Sequence, residues 1–265
     1  MKPASPPLRR FCRAAAFSAV CFACLSAVGL SAFRQEGEVP VSSFAAAEDL
    51  IAIVGTYTAE VASIVDDADE FAKDDRRTRV GELAESIQAL ALALARHDQL
   101  PDGKTASQFA AAHKAAGDLY SASEHAAATS ALGELKHALE AGADSERAVP
   151  EWGCTDQMYD LMNQVQLSLS SVSRGMRRLE RRPDPVAQNA AFLAVVGHET
   201  RYLAPQDLSD DLKKVWSDLS LEMRDSAKSL NAAAKAKDQM TAEEAATRLT
   251  KSCDDCHAQI RDRRP

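Results

Sequence analysis

The spacing of apolar residues constrains the fold most, because it keeps a helical period along almost the whole chain beyond residue 43. Between Leu50 and Val65, for example, apolar side chains recur every three or four residues, as one face of an α-helix requires. No segment sustains the alternation of period two that a half-buried strand would show. Frequent alanine, leucine, glutamate and lysine also favour helices. The sequence therefore predicts an all-α fold.

Breakers and capping residues divide this pattern into two sets of four predicted helices. The first set covers about residues 44–72, 78–97, 106–127 and 130–141, with residues 74–77 as a charged turn. A linker containing Pro150 and Gly153 follows. The second set covers about residues 155–181, 186–203, 210–236 and 241–263. Ser209 is the expected cap of the third of these helices, and Thr241 with Glu244 forms a capping box at the start of the last.

The last predicted helix contains Cys253-Asp254-Asp255-Cys256-His257, a C-x-x-C-H sequence typical of covalent attachment of c-type haem. Two thiols on one helical turn can each form a thioether with a haem vinyl group, and the adjoining imidazole can bind the iron. C-x-x-C also occurs in redox dithiols and in zinc sites. A zinc site needs four ligands, however, and no second cysteine pair is near in sequence. The prediction is one covalently bound haem c.

The second set of helices looks like a repeat of the first. When residues 131–142 are aligned with residues 245–256, Leu135 matches Leu249, and Leu139 and Gly142 fall where the second segment has its two cysteines. We therefore predict two tandem antiparallel four-helix bundles, a haem-less one over residues 44–142 and a haem-binding one over residues 154–263. One larger helical domain, or two unrelated bundles, are the alternatives.

The amino terminus predicts export. Residues 1–13 contain basic side chains and no acidic one, and residues 14–33 carry no charge, as in a secretory signal peptide. Small residues near Ala27 and Ala32 offer cleavage points, and the alternative for an apolar stretch of this length is a retained membrane anchor. Because c-type haem is attached outside the cytoplasm, the leader and the C-x-x-C-H motif both predict a periplasmic or otherwise extracytoplasmic protein.

Charge and missing motifs narrow the function classes. The chain has a net charge of −8, which disfavours nucleic acid as a partner. The nucleophile, phosphate-loop and zinc-protease motifs of common enzymes are absent from the sequence, so we do not expect an enzyme. Outside the leader and the motif the only cysteine is Cys154, so no intramolecular disulfide is predicted.

Methionines line one face of the first helix in the second set. They belong to an apolar seam with spacings of three and four residues, made of Met158, Met162, Val165, Leu169, Val172 and Met176. Most of these side chains are expected to pack in a core. One thioether near the helix start could serve as the sixth iron ligand, which would raise the potential. Met162 is the first choice and Met158 the second.

The C-terminal motif, followed by Arg261 four residues after the histidine, resembles the cytochrome c′ class. The likeness covers roughly residues 155–262. It implies an antiparallel four-helix bundle around the haem, with Cys253 and Cys256 as thioether links and His257 as proximal ligand. Arg261 would lie near the haem edge or a propionate. The chain departs from the class at Ile260, where an aromatic residue is usual, in lacking an arginine just before the methionines, and in its preceding haem-less half.

Members of this class follow two patterns of coordination. Five-coordinate members have an apolar residue over the distal face and bind nitric oxide or carbon monoxide, whereas six-coordinate members with methionine look like electron carriers. Here Leu161 or Val165 could block the distal face, and Met162 could bind the iron. The expected function is single-electron transfer to a redox partner protein. The alternatives are a haem protein that binds a small gas and an interaction module whose haem is structural.

Other charged and histidine residues have simpler interpretations. His97, His113, His125 and His137 lack the spacing of a helical metal pair, so solvated or capping roles are expected. His198, flanked by Glu199 and Arg201, is predicted on an exposed face. A basic cluster at a helix C-terminus suits the helix dipole, and the alternative is that it docks an acidic redox partner. It comprises Arg174, Arg177, Arg178, Arg181 and Arg182.

Overall fold

A computed structural model describes residues 39–141, 147–153 and 158–260. Within these ranges the regular structure is entirely helical, which confirms the all-α class. The longer elements are α1 Ala47–Val65, α2 Ala68–Phe71, α3 Asp74–Ala95, α4 Ala106–Tyr120, α5 His125–Ala141, α6 Met158–Met176, α7 Asp184–Thr200, α8 Asp210–Ala236 and α9 Gln239–Gln259. The predicted leader, Cys154 and Arg261 lie outside the described residues.

The first predicted helix, residues 44–72, is interrupted. The carboxylate of Asp67 accepts hydrogen bonds from the backbone N–H groups of Asp69 at 2.9 Å and Glu70 at 3.2 Å, so it caps a separate short helix, α2. The charged residues 74–77, predicted as a turn, form the first turn of α3. Asp74 and Asp75 suit that position because acidic side chains complement the N-terminal end of the helix dipole.

Capping side chains set the starts of the last two helices. Ser209 accepts from the backbone N–H of Leu212 at 3.3 Å, which confirms the predicted cap of α8. The prediction for α9 was wrong, because its cap is Asp238 and not Thr241. The Asp238 carboxylate accepts from the N–H of Thr241 at 3.1 Å and from its hydroxyl at 2.7 Å. These bonds stabilise the ionised carboxylate and lower the pKa of Asp238.

The long helices pack in the same order in the two halves. In the first half α1 packs on α3, α3 on α4, α4 on α5, and α5 back on α1. In the second half α6 packs on α7, α7 on α8 and α8 on α9, with a sparser contact between α6 and α9. Leu135 on α5 and Leu249 on α9, which the sequence alignment pairs, are both fully buried.

Both halves contribute to one continuous hydrophobic core. α7 packs against α1 and α3, and α3 also packs against α6. The helices at this junction are rich in small residues, such as the alternating alanine and leucine of residues 89–95, which let backbones approach closely. Every residue from 191 to 200 of α7 is buried. α7 is thus covered by α6, α8 and the first half together.

A polar network also joins the halves. The guanidinium of Arg79 donates to the carboxylate of Glu60 and to the side-chain oxygen of Gln164, both at 2.7 Å. The Gln164 amide in turn donates to the Tyr57 hydroxyl at 2.7 Å. Burial raises the pKa of Tyr57, so its hydroxyl stays protonated at neutral pH. Along the described part of the chain, no helix is both long and apolar enough to span a bilayer.

Candidate functional site

The C-x-x-C-H sequence occupies the last turn and a half of α9. The buried face of this helix is marked by Ala242, Ala245, Leu249 and Ser252, at spacings of three and four residues. One more step of four residues reaches Cys256, and Cys253 and His257 are themselves four residues apart. Both thiols and the imidazole are partly buried. The helical period therefore places the three side chains together on or beside the face of α9 that packs in the bundle.

Cys256 packs against a small apolar cluster that is separate from the main core. This motif cluster is centred on Leu208, Trp216 and Ile260, and is completed by Met158, Ala204, Leu212, Val215 and Cys256. Its residues come from the start of α6, the connection between α7 and α8, the start of α8 and the end of α9. The motif cluster therefore lies at one end of the second half, where these four segments meet.

α9 is covered unevenly by its neighbours. α8 packs along it, whereas α6 approaches it only sparsely. The cysteine and histidine side chains of the motif remain partly exposed, although Cys256 packs against apolar residues of α8 and its preceding connection. A flat apolar group attached to the two sulfurs would extend the burial of this end of the bundle.

The two methionines singled out from the sequence lie in different surroundings. Met158, the second choice as a sixth ligand, belongs to the motif cluster together with Cys256. Met162, the first choice, packs against the main core. Leu161 and Val165, the candidate blocking residues, are also in the main core, with 0% and 4% of their surface exposed. The structure thus brings Met158 to the neighbourhood of the motif.

The two motif cysteines form no disulfide with each other. Burial raises the pKa of Cys253, against the opposing effect of the Ser252 hydroxyl, and burial also raises the pKa of Cys256. Reactive dithiols have lowered thiol pKa values and typically lie at helix N-termini. These thiols lie at the C-terminal end of α9, where the helix dipole opposes a thiolate. The arrangement therefore disfavours thiol–disulfide exchange.

Three histidine side chains elsewhere in the described residues contact backbone carbonyl oxygens. Ring nitrogens of His97, His113 and His125 lie 3.0, 3.0 and 2.7 Å from the carbonyl oxygens of Ala45, Gln88 and Val65. The contact of His125 is at a helix end, because Val65 is the last residue of α1, whereas Gln88 lies inside α3 and Ala45 precedes α1. His97 and His113 are buried and not solvated. In the part of the chain that the structure describes, no three His, Cys, Asp or Glu side chains are grouped as a metal site would require.

The donor set around the motif fits a c-type haem. It offers two thiols for thioether bonds, the adjacent imidazole of His257 as a nitrogen ligand, and the Met158 thioether nearby. The surrounding side chains are apolar, as the macrocycle requires. This fit depends on the side chains at the end of α9 and the start of α6.

The sequence analysis did not predict an aromatic cluster at the end of α7. His198 is stacked on Phe44 at 4.8 Å between ring centroids, meets Trp152 edge-on at 4.5 Å and lies 5.7 Å from Tyr202. The prediction that His198 is exposed was wrong, since both it and Glu199 are fully buried. The polar neighbours of His198 suggested a solvated face, but contacts with the first half cover this end of α7.

The same end of α7 is tied to the linker and to the motif cluster. The Glu199 carboxylate accepts from the backbone N–H of Gly153 at 2.9 Å. The indole N–H of Trp216, a member of the motif cluster, donates to the carbonyl of Thr200 at 2.6 Å. The sequence offered one signal for this cluster: the chain has only two tryptophans, and both lie in this region.

The chain was compared with protein-family models, curated proteins and solved structures, and it has no significant match among any of the three.

Proposed function

We propose that this protein is an exported monohaem c-type cytochrome that transfers single electrons. The observation that carries the proposal is the last turn and a half of α9, where two thiols and an imidazole lie half-buried beside an apolar cluster. Cys253 and Cys256 would hold the haem covalently, and His257 would bind the iron from one side. When bound, the haem supplies the one-electron redox couple of its iron.

The protein's own residues would set the properties of that couple. The motif cluster would exclude water from the bound group, and a lower local polarity would disfavour the more highly charged oxidised state. Met158 is the favoured sixth ligand because it is in the motif cluster, and Met162 is now the second choice. A thioether ligand would raise the potential.

The haem-less half has a supporting role in this proposal. The tandem arrangement of two four-helix bundles, with the haem on the last helix of the second, is supported by the matching order of helix contacts in the two halves. α1 and α3 cover the face of α7 that would otherwise expose apolar residues such as Phe192 and Val196. The first half would thereby keep α7, and through it the α8 and α9 pair, in a fixed position.

Coordination number separates this function from gas binding. Reduced protein should give a six-coordinate, low-spin spectrum that carbon monoxide does not change. Met158→Ala should open the sixth position and produce a spectrum that shifts with carbon monoxide, whereas Met162→Ala should leave the spectrum as it was. A wild-type protein that already binds carbon monoxide would instead support the gas-binding alternative.

A further inference from the structure

The segment that begins in the last turn of α6 and runs on to residue 182 carries five exposed arginines. We call them the arginine stripe: Arg174, Arg177, Arg178, Arg181 and Arg182. Beyond α6 the chain continues in turns, in which the N–H of Arg181 donates to the carbonyl of Arg178 at 3.0 Å and the N–H of Arg182 donates to the same carbonyl at 2.9 Å. Leu179, which lies between them in sequence, is buried.

The arginine stripe has no counter-ions within the part of the chain that the structure describes. None of its guanidinium groups pairs there with a carboxylate, although Glu180 and Asp184 are nearby and exposed. Four of the five arginines lie beyond Met176, the last residue of α6. The dipole at the end of α6 favours cations only in its last turn. The stripe therefore carries more positive charge than the helix end needs.

The arginine stripe and the motif lie at opposite ends of α6. Met158, the first residue of α6, belongs to the motif cluster, and α6 ends at Met176. Nineteen residues of helix span about 27 Å at 1.5 Å per residue. A partner bound to the stripe would thus be remote from the candidate redox group. This separation disfavours the stripe as the surface that exchanges electrons with a redox protein.

The chemistry of the stripe favours phosphate groups on a surface. Guanidinium forks match phosphate oxygens bidentately. Of the large apolar side chains in residues 174–182, Leu179 is buried and Met176 is partly buried against the main core, so the stripe lacks the apolar centre of a stable protein interface. Clusters of four to eight basic residues are typical of contacts with anionic lipid headgroups. We propose that the arginine stripe docks the protein on an anionic phospholipid surface and holds the motif end away from it.

The net charge of −8 helps to orient the protein on such a surface. An anionic membrane repels most of the molecule and attracts the stripe, so the stripe should face the lipid. The proposal does not depend on haem, because it concerns exposed arginines far from the motif. It can therefore fail or succeed independently of the proposed electron transfer.

The test is flotation of the exported protein, without the predicted leader of residues 1–33, with vesicles of phosphatidylcholine alone or mixed with phosphatidylglycerol, at low salt. The protein should float only with the anionic vesicles. R177Q/R178Q/R181Q should weaken that binding about 100-fold, from a loss of about fivefold per arginine. Replacing all five arginines by lysine keeps the charge but removes the guanidinium forks, so it should weaken the binding less than the glutamine variant does. K114Q/K214Q/K228Q, which removes three exposed lysines elsewhere, is the control and should change binding little.

Several outcomes would overturn the proposal. They are equal flotation with neutral and anionic vesicles, no flotation with either, or an equal loss in the lysine control. Release by inorganic phosphate well beyond the effect of chloride at matched ionic strength would also overturn it, by showing a site for a small anion. Circular dichroism of every variant should be unchanged, since the substituted side chains are exposed.

Discussion

The side-chain amide of Gln164 donates a 2.7 Å hydrogen bond to the hydroxyl of Tyr57, across the junction of the two halves. Both side chains are buried, and the other end of the Gln164 amide accepts from Arg79 at 2.7 Å. A buried donor that loses its acceptor costs more than the bond contributed. The pair therefore links α1 of the first half to α6 of the second.

Tyr57→Phe should destabilise the protein by about 1–3 kcal/mol, because the Gln164 amide would be left buried without its acceptor. Urea denaturation followed by circular dichroism measures this change. Tyr159→Phe is the matched control, since Tyr159 is 75% exposed, and it should alter the free energy of unfolding by less than about 0.5 kcal/mol. Equal effects of the two substitutions would show that the junction hydrogen bond does not stabilise the fold.

Gly197→Ala should destabilise the protein by about 1–3 kcal/mol through overpacking. A Cβ at this position would lie 2.6 Å from the backbone nitrogen of Arg224 and 3.0 Å from the carbonyl oxygen of Ser220, so α7 and α8 would have to separate. Gly55→Ala is the control in α1, where a Cβ meets no atom within 4 Å. It should stabilise the helix by about 0.5–1 kcal/mol. Thermal melts of both variants should shift in opposite directions.

His113 should make stability fall as the solution becomes acidic. Burial lowers the pKa of His113, so the folded protein keeps it neutral while the unfolded chain takes up a proton near pH 6.5. This contribution is fully present above the unfolded pKa and is lost as the pH falls below it towards the folded pKa. His113→Gln should flatten the dependence between pH 7.5 and 5.5. His137→Gln, at an exposed position, should keep the wild-type slope.

The helices could be predicted from the sequence because their apolar spacing and caps are local signals. Ser209 precedes α8 as expected, since its hydroxyl needs only the N–H of Leu212 three residues on. Asp238 and Thr241 were harder to rank, because both can cap and they lie three residues apart. The break at Asp67 depends on a side chain that competes with a continuing helix.

The surroundings of the candidate site could be predicted less well. The C-x-x-C-H motif is contiguous in sequence, whereas the motif cluster joins Met158 to residues about 50 to 100 positions later. Along the apolar seam of α6, core residues and a possible iron ligand would follow the same spacing. The sequence therefore did not show which of Met158 and Met162 lies near the motif. The burial of His198 depends on contacts between the first half and α7, such as the stacking of Phe44 on the His198 ring. The polar residues next to His198 in the sequence do not indicate these contacts.

Trp216 should report on the occupant of the motif cluster. Its ring lies in the same cluster as Cys256, so a haem bound there should quench its fluorescence. Emission should be weak in the loaded protein and should recover in the Cys253→Ser/Cys256→Ser variant. The Trp216→Phe variant isolates the emission of Trp152 and serves as the control. Equal Trp216 emission with and without the two cysteines would place any bound group elsewhere.

Deleting residues 44–149 should destabilise the second half. Tyr57 packs edge-on against Phe192 with 5.9 Å between ring centroids, and its removal with the rest of α1 and α3 would uncover α7. The truncated protein should melt at a lower temperature than the full chain and bind a dye for exposed apolar surface. An unchanged melting temperature would show that the first half is an independent module, and would favour the interaction-module alternative.

Covalent haem content tests the central claim most directly. The protein should be produced in a host that attaches c-type haem, and its intact mass and pyridine haemochrome spectrum should be measured after acidic extraction of free haem. We expect one haem per chain, of the c type, and none in the Cys253→Ser/Cys256→Ser variant. Wild-type protein without covalent haem, in cells that load another c-type cytochrome, would contradict the account.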